Sequence, residues 1–373
     1  MDKAGYHRDT WAEIDLEAIR HNVEEIKNHL KDKEVFAVVK ADAYGHGEVE
    51  VAQAALEAGA TTLAVSILDE AIRLREHFSN VPILVMGWTN PEYADIAAQN
   101  NITLTAFQTD WVHQANEHLT DQDLSIHLKV DTGMGRIGIR SVEEAYDVIR
   151  ACDRTNIFIT GVFTHFATAD EPDLKYYHQQ LGAFKQWLKQ VKPHLPDSIT
   201  VHIGNSAASM RFPNDMYDGV RFGISMYGLY PSKHVKEEQT ILLKPAFALY
   251  SRLIHVKKIQ KGDAISYGAT YRASEDEWIG TIPIGYGDGW IRKLQSINVL
   301  INGQKHPIVG RICMDQCMIK LDQSYDIGTR VTLIGCEQNA TVSMDDVADH
   351  LETINYEIPC MLGKRIPRYY INM

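Results

Sequence analysis

The stretch VFAVVKADAYGHG, Val35 to Gly47, decides how the rest of the chain is read. Five apolar, mostly β-branched residues form a candidate strand, which ends in Lys40 and enters a loop carrying Gly45 and Gly47. The same texture returns at TLAVS (62–66), PILVM (82–86), ITLTAF (102–107), LSIHLKV (124–130), IFITGVF (157–163), ITVHI (199–203) and YDGVRF (217–222). Amphipathic stretches such as 47–59 and 141–150 lie between these eight runs, with the length and polarity of surface helices. Strand and helix in alternation predict an α/β fold, with an N-terminal (β/α)8 barrel over about residues 1–240. In such a barrel the carboxyl ends of the strands face the active site. They deliver Lys40, Lys129 and Asp131, Thr164 and His165, His202 with Asn205 and Ser206, and Arg221 to one rim.

Beyond about residue 240 the helical period fades. Alternating runs such as FALYSRLIHVKKI (247–259), WIGTIPIGY (278–286), INVLING (297–303), MIKLD (318–322) and RVTLIG (330–335) are separated by Gly and Asp turns. They predict a C-terminal, mainly β-strand domain over 241–373. Near the start, WAEIDL reads as a strand that can pair with this late domain. The helix after it carries apolar Leu16, Ile19, Val23 and Ile26 at helical spacing.

Bulk properties narrow the function classes. The 373 residues carry a formal charge of −12, which opposes a protein that tracks nucleic-acid phosphates. No apolar run reaches the roughly 18 residues of a spanning helix, and the opening MDKAGYHRDTW lacks a signal-peptide stretch, so a cytoplasmic protein is expected. Five cysteines without zinc-ligand spacing, Cys152, Cys313, Cys317, Cys336 and Cys360, read as reduced thiols, and no metal site is expected.

A lysine at a barrel rim, desolvated by its strand, has its ammonium disfavoured and can form a Schiff base. Most strand-end lysines are only solvated charges, so Lys40 carries little weight alone. Combined with HLKVDTGMGRIGI (127–139), FTHFATAD (163–170), HIGNSAAS (202–209), DGVRFGISMYG (218–228), AISYGATYRA (264–273), VGRICMDQ (309–316) and INYEIPCMLGKRIPR (354–368), it means more. Over essentially its whole length the chain resembles the alanine racemases, fold-type III enzymes dependent on pyridoxal 5'-phosphate (PLP).

The resemblance implies a set of roles. Lys40 would carry PLP, with Tyr44, Ser206, Tyr356 and the amides of Gly223 and Ile224 around its phosphate; Ser206 also opens a candidate helix, whose amides suit an anion. His165, His202 and Asn205 would seat the ring, and Arg221 would face its nitrogen. An arginine donates a hydrogen bond there without yielding its proton, which keeps the ring a weaker electron sink. Arg136, Met314 and the entrance residue Tyr286 would meet the substrate, with Asp315 beside Met314. Lys129 corresponds to a lysine carbamylated in many members. Racemisation needs acid/base groups on both faces of Cα; Lys40 would serve one face of a PLP aldimine and Tyr267, donated across a homodimer interface, the other. L- and D-alanine would interconvert, supplying D-alanine for peptidoglycan. Tyr267 and Tyr356 would crowd the substrate side chain, which favours a methyl.

Two other readings share the cofactor. A fold-type III PLP decarboxylase would put a carboxylate where Arg221 stands, and a non-catalytic PLP homeostasis protein would have no use for the region holding Tyr267 and Met314.

Overall fold

Eight parallel strands close on themselves in the computed structural model, which describes residues 7–373; the opening MDKAGY, part of the segment judged above for a leader, lies outside the described residues. The first strand, β1 (Thr10–Asp15), and the helix α1 (Leu16–Leu30) precede the barrel. Its staves are β2 (Glu34–Val38), β3 (Thr62–Val65), β4 (Ile83–Val85), β5 (Ile102–Ala106), β6 (Leu124–Lys129), β7 (Ile157–Phe163), β8 (Thr200–Gly204) and β9 (Gly219–Phe222), with β9 pairing back to β2. Each of the eight apolar runs is one of these staves. They read as continuous apolar runs because both faces are buried, as in Val35, Phe36, Ala37 and Val38.

Contact density divides the chain into two units, one of residues 18–43 and 47–244, the other of the residues up to Glu17, 44–46 and 245–373. The first unit holds the barrel. Around the staves run helices including α2 (Lys40–Gly45), α3 (Glu48–Glu57), α4 (Leu68–His77), α5 (Ala94–Gln99), α6 (Thr109–His118), α7 (Val142–Cys152), α8 (Lys175–Val191) and α9 (Ser206–Arg211). Two register shifts interrupt the barrel ladders, one at Ile126/His127 between β6 and β7 and one at His202/Gly204 between β8 and β9. Such irregularities re-aim side chains near sites, and here both fall on histidines.

The second unit is mainly β. Strands β10 (Phe247–Arg252), β11 (His255–Ile259), β14 (Glu277–Ile282), β15 (Asn298–Ile301), β16 (Gln304–Val309), β17 (Cys317–Leu321), β18 (Arg330–Glu337) and β20 (Arg368–Ile371) join β1 in one sheet, with β19 (Ala340–Val342) beside β18, and β12 (Ala264–Ile265) with β13 (Tyr271–Arg272) form a separate ribbon. Strand β1 runs antiparallel to β10 and parallel to β20. Its alternation buries Thr10, Ala12 and Ile14 and leaves Trp11, Glu13 and Asp15 half-buried, the period-2 signature of a one-faced strand. Two short helices, Met344–Leu351 and Glu357–Met361, interrupt the strands of this unit, and the sequence reading had no helix there. Among the described residues no helix is long and apolar enough to cross a membrane.

Candidate functional site

The barrel unit gathers its unusual charges at the carboxyl ends of its strands. Lys40 follows β2, Lys129 ends β6, His165 follows β7, Asn205 and Ser206 follow β8, and Arg221 lies on β9. Arg221 is buried, with 4% of its surface exposed. Its Nη1 donates to Nδ1 of His202 at 2.9 Å and to the His202 carbonyl at 2.7 Å; its Nη2 donates to the Thr164 carbonyl at 2.7 Å and to Nδ1 of His165 at 3.3 Å. Among the described residues no carboxylate pairs with it. Burial, then the charge of Arg136, lower its pKa to about 9, which still leaves it a cation at neutral pH.

The donor logic of this contact fixes a tautomer. Guanidinium only donates, so Nδ1 of His202 accepts and its Nε2 carries the proton. That Nε2 lies 2.9 Å from Nδ1 of His127, which therefore accepts in turn. Burial, reinforced by Arg221, lowers the pKa of His127 to about 3 and holds His202 well below its ordinary value, so both rings are neutral. Phe163 stacks on His202 at 4.9 Å and Phe36 packs at 4.7 Å. Gly161 makes room for His127: a Cβ there would lie 2.5 Å from Nε2 of that ring. His127 is a site residue that sequence reasoning missed.

Lys129 is 3% exposed, with its Nζ 4.6 Å above the Phe163 ring. Burial, then Arg221 and Arg136, lower its pKa to about 7, against the opposing pull of Asp131. The same cations, after burial, push His165 well below its ordinary value. Asp131 shapes the loop that carries Arg136, accepting the amides of Gly133 at 3.1 Å and Gly135 at 2.9 Å. Gln180 of α8, fully buried and also missed, ties the neighbouring loop: its Oε1 accepts the Ala167 amide at 2.9 Å and its Nε2 donates to the His165 carbonyl at 3.1 Å. After β9, the Ser206 hydroxyl accepts the amides of Gly223 at 3.0 Å and Ser225 at 3.5 Å, Ile224 opens a buried 3-10 turn, and the buried Ser225 Oγ has no partner among the described residues.

Lys40 itself, half-buried, opens a turn of uncommon hand. Ala41, Asp42, Ala43 and Tyr44 have φ of 53°, 53°, 51° and 53°, so α2 is a left-handed turn built without glycine until Gly45. Left-handed geometry costs an L-residue about 1–2 kcal/mol, and such strain persists only where its surroundings impose it.

The second unit carries the other candidates. Tyr44 and Tyr356 lie together, ring centroids 6.2 Å apart, and burial, then Tyr356 and Cys360, raise the Tyr44 phenol. Tyr267 is 70% exposed and lines a cavity of about 610 Å³ with Ser266, Cys313 and Gln316. Tyr286 and Met314 are also exposed. Their two loops are zipped by backbone, Tyr286 N to the Cys313 carbonyl at 3.1 Å and Gly287 N to the Met314 carbonyl at 2.8 Å. Only glycine fits at 285, where a Cβ would lie 2.2 Å from the Cys313 carbonyl oxygen. Beneath them the buried Asp288 carboxylate takes Arg8, Arg365 and the Gly285 amide, and Arg365 also reaches Asp315 at 2.7 Å.

Chemically, the barrel rim offers a concentrated positive field, two neutral imidazoles in series, a depressed lysine and the Ser225 hydroxyl beside that of Ser206. Such a donor set suits an anionic ligand with a ring nitrogen. No cluster of metal-ligating side chains occurs among the described residues.

Comparison with known proteins agrees along the chain. Residues 14–231 match the family described as alanine racemase, N-terminal domain, and residues 246–370 that described as alanine racemase, C-terminal domain. The chain is 52% identical over 376 residues to an alanine racemase of Anoxybacillus flavithermus, covering 100% of this chain and 97% of that relative. Among solved structures it is similar to the alanine racemase of Bacillus anthracis with bound L-Ala-P (TM-score 0.96, 45% identity, 98% of this chain and 96% of that one). It is also similar to a histidine racemase of Leuconostoc mesenteroides (TM-score 0.90, 34% identity, 98% and 99%). With both family models matched in order and half its residues shared with a full-length relative, the chain belongs to the alanine racemase family.

Proposed function

We propose that this chain is a PLP-dependent racemase that interconverts L-alanine and D-alanine. The observation that carries the reading is Arg221, a buried guanidinium held by two imidazoles and carbonyl oxygens, with no carboxylate partner among the described residues. The residues fit PLP: a net cationic rim answers its phosphate, Ser206 with the Gly223 and Ile224 amides forms a cup beside the orphaned Ser225 hydroxyl, and Arg221 offers a donor to a ring nitrogen. When bound, PLP withdraws electrons from the substrate Cα and makes its hydrogen acidic.

The chain's own groups supply the rest. Lys40 would carry the cofactor, and its amine would hold or return a proton at one face of Cα. Tyr44 and Tyr356 would take phosphate oxygens, and His165, His202 and Asn205 would seat the ring. Arg221 fixes the His202 tautomer and His202 in turn that of His127, and the guanidinium would face the ring nitrogen as a permanent donor rather than a proton source. Arg136 and the Met314 amide hold the substrate carboxylate, and Tyr286 guards the entrance. Lys129 becomes a carbamate that steadies Arg136. Tyr267 moves the proton at the opposite face of Cα. Because Tyr267 is largely exposed on its own chain, it serves a second copy in a homodimer with shared active sites. The D-alanine supplies peptidoglycan synthesis in the cytoplasm.

The test uses purified protein with PLP. A visible absorption band lost in Lys40→Ala, deuterium uptake at Cα of L-alanine in heavy water and accumulation of D-alanine without carbon dioxide support the reading. Carbon dioxide release, or a wild-type protein that stays colourless with PLP, overturns it. Mixing Lys40→Ala and Tyr267→Phe proteins restores activity if the phenol is donated between subunits; mixed dimers that stay inactive refute that arrangement.

A further inference from the structure

We propose that Glu70 is a positioning residue for Lys40. The inference rests on the reading of Lys40 as the amine that takes PLP. Glu70 is the third residue of α4 and 6% exposed. Its Oε2 accepts the amides of Ser66 at 2.8 Å and Ile67 at 3.2 Å, which is what an acidic residue does in closing the start of a helix. Its Oε1 does something helix capping does not need: it accepts the amide of Ala41 at 2.7 Å. The residue directly after Lys40 is thereby tied to the loop that follows β3.

That tie falls at the start of the left-handed turn. The far end is held separately, by Asp42, whose Oδ1 accepts the Glu48 amide at 3.0 Å and whose carbonyl accepts the Gly47 amide at 3.0 Å. Between them, the Ala43 amide reaches the Val39 carbonyl at 2.9 Å. Four consecutive non-glycine residues at positive φ relax toward the right-handed region unless both ends are fixed. Loss of the Glu70 oxygen leaves the Ala41 amide without its acceptor and lets the Lys40 backbone rotate. A carboxylate suits this post better than an amide, because one rigid group must accept three backbone donors and offer none.

The experiment uses the full-length protein, stripped of PLP and then reloaded, as wild type, Glu70→Ala and Glu70→Gln. Hydrogen exchange of residues 40–47 and of α4, far-ultraviolet circular dichroism and PLP titration by the visible band are read on each. In Glu70→Ala the Ala41 amide exchanges at least about tenfold faster, half-saturation with PLP rises by a similar factor, and kcat falls while KM for alanine holds. Glu70→Gln keeps one acceptor oxygen and serves if the alanine variant does not fold. Faster Ala41 exchange with unchanged PLP attachment overturns the proposal, as does unchanged attachment in every folded variant; Glu70 is then only a helix cap. If the wild type takes no PLP, the cofactor reading falls by itself. The exchange of Ala41 still decides whether Glu70 holds the turn.

Discussion

Replacing Lys129 by methionine tests the electrostatics of the barrel rim most directly. Burial and the neighbouring Arg221 and Arg136 lower the amine from 10.5 to about 7. At pH 7 about half of it is then neutral, against roughly one part in 3,000 for an unperturbed lysine, so its nucleophilic fraction rises about a thousandfold. A neutral amine adds to carbon dioxide, forming an N–C bond and releasing one proton, and the product is an anion among cations.

The folded group releases its proton near pH 7 and the unfolded one near 10.5. Between these values the unfolded chain binds more protons, so stability rises with pH. The penalty of the buried ammonium is full below pH 7 and gone above about 10.5. Its ceiling is about 5 kcal/mol, and local relaxation brings the working figure to about 2 kcal/mol. In carbon dioxide-free buffer at pH 7, Lys129→Met therefore melts several degrees above wild type, and its advantage shrinks toward pH 10. Added bicarbonate stabilises wild type and leaves the variant unchanged. Thermal melting at both pH values, with carbon-13 NMR in labelled bicarbonate, reads all of this. A wild-type protein indifferent to bicarbonate, together with a methionine variant no more stable at pH 7 than at pH 10, refutes the reasoning.

Three other outcomes follow from the same geometry. Tyr267→Phe slows deuterium exchange mainly for one enantiomer of alanine, read by NMR; equal slowing of both removes it as a one-face base. Gly161→Ala drives a methyl into His127 and lowers stability by about 1–3 kcal/mol in thermal melting, whereas a wild-type melting curve shows that the His127 ring moves freely. His127, with its pKa lowered from 6.5 to about 3, contributes stability above pH 6.5 that is lost as pH falls toward 3. His127→Gln, whose carbonyl can still accept from His202 and does not titrate, flattens that part of the stability profile measured by denaturant unfolding.

The barrel was legible because parallel strands buried on both faces leave an unbroken apolar run, and eight such runs are hard to produce otherwise. The late strands were visible through their alternation, but the helices at Met344–Leu351 and Glu357–Met361 are too short for a period to stand out. Lys40, Arg221 and Tyr267 were named through resemblance; taken singly, each is an ordinary strand-end or strand residue. Three features stayed hidden. Residues 41–44 read Ala-Asp-Ala-Tyr, which gives no sign of positive φ, since the acceptor that imposes it sits 29 residues away on Glu70. His127 lies inside a strand, where a buried imidazole looks like a satisfied core group until its partner on β8 is known. Gln180 sits mid-helix, and only packing shows that its amide reaches both the loop at Thr132 and the loop at His165.

Strand β1 has a consequence for synthesis. Its partners begin at Phe247 and Arg368, so a ribosome making roughly 5–20 residues per second leaves it waiting some tens of seconds for the first neighbour and longer for the second. Throughout that time an edge with a greasy side is on offer to any other nascent chain. Moving this segment by circular permutation to follow Met373 would shorten the wait, and a larger soluble fraction of newly translated chain would be its signature.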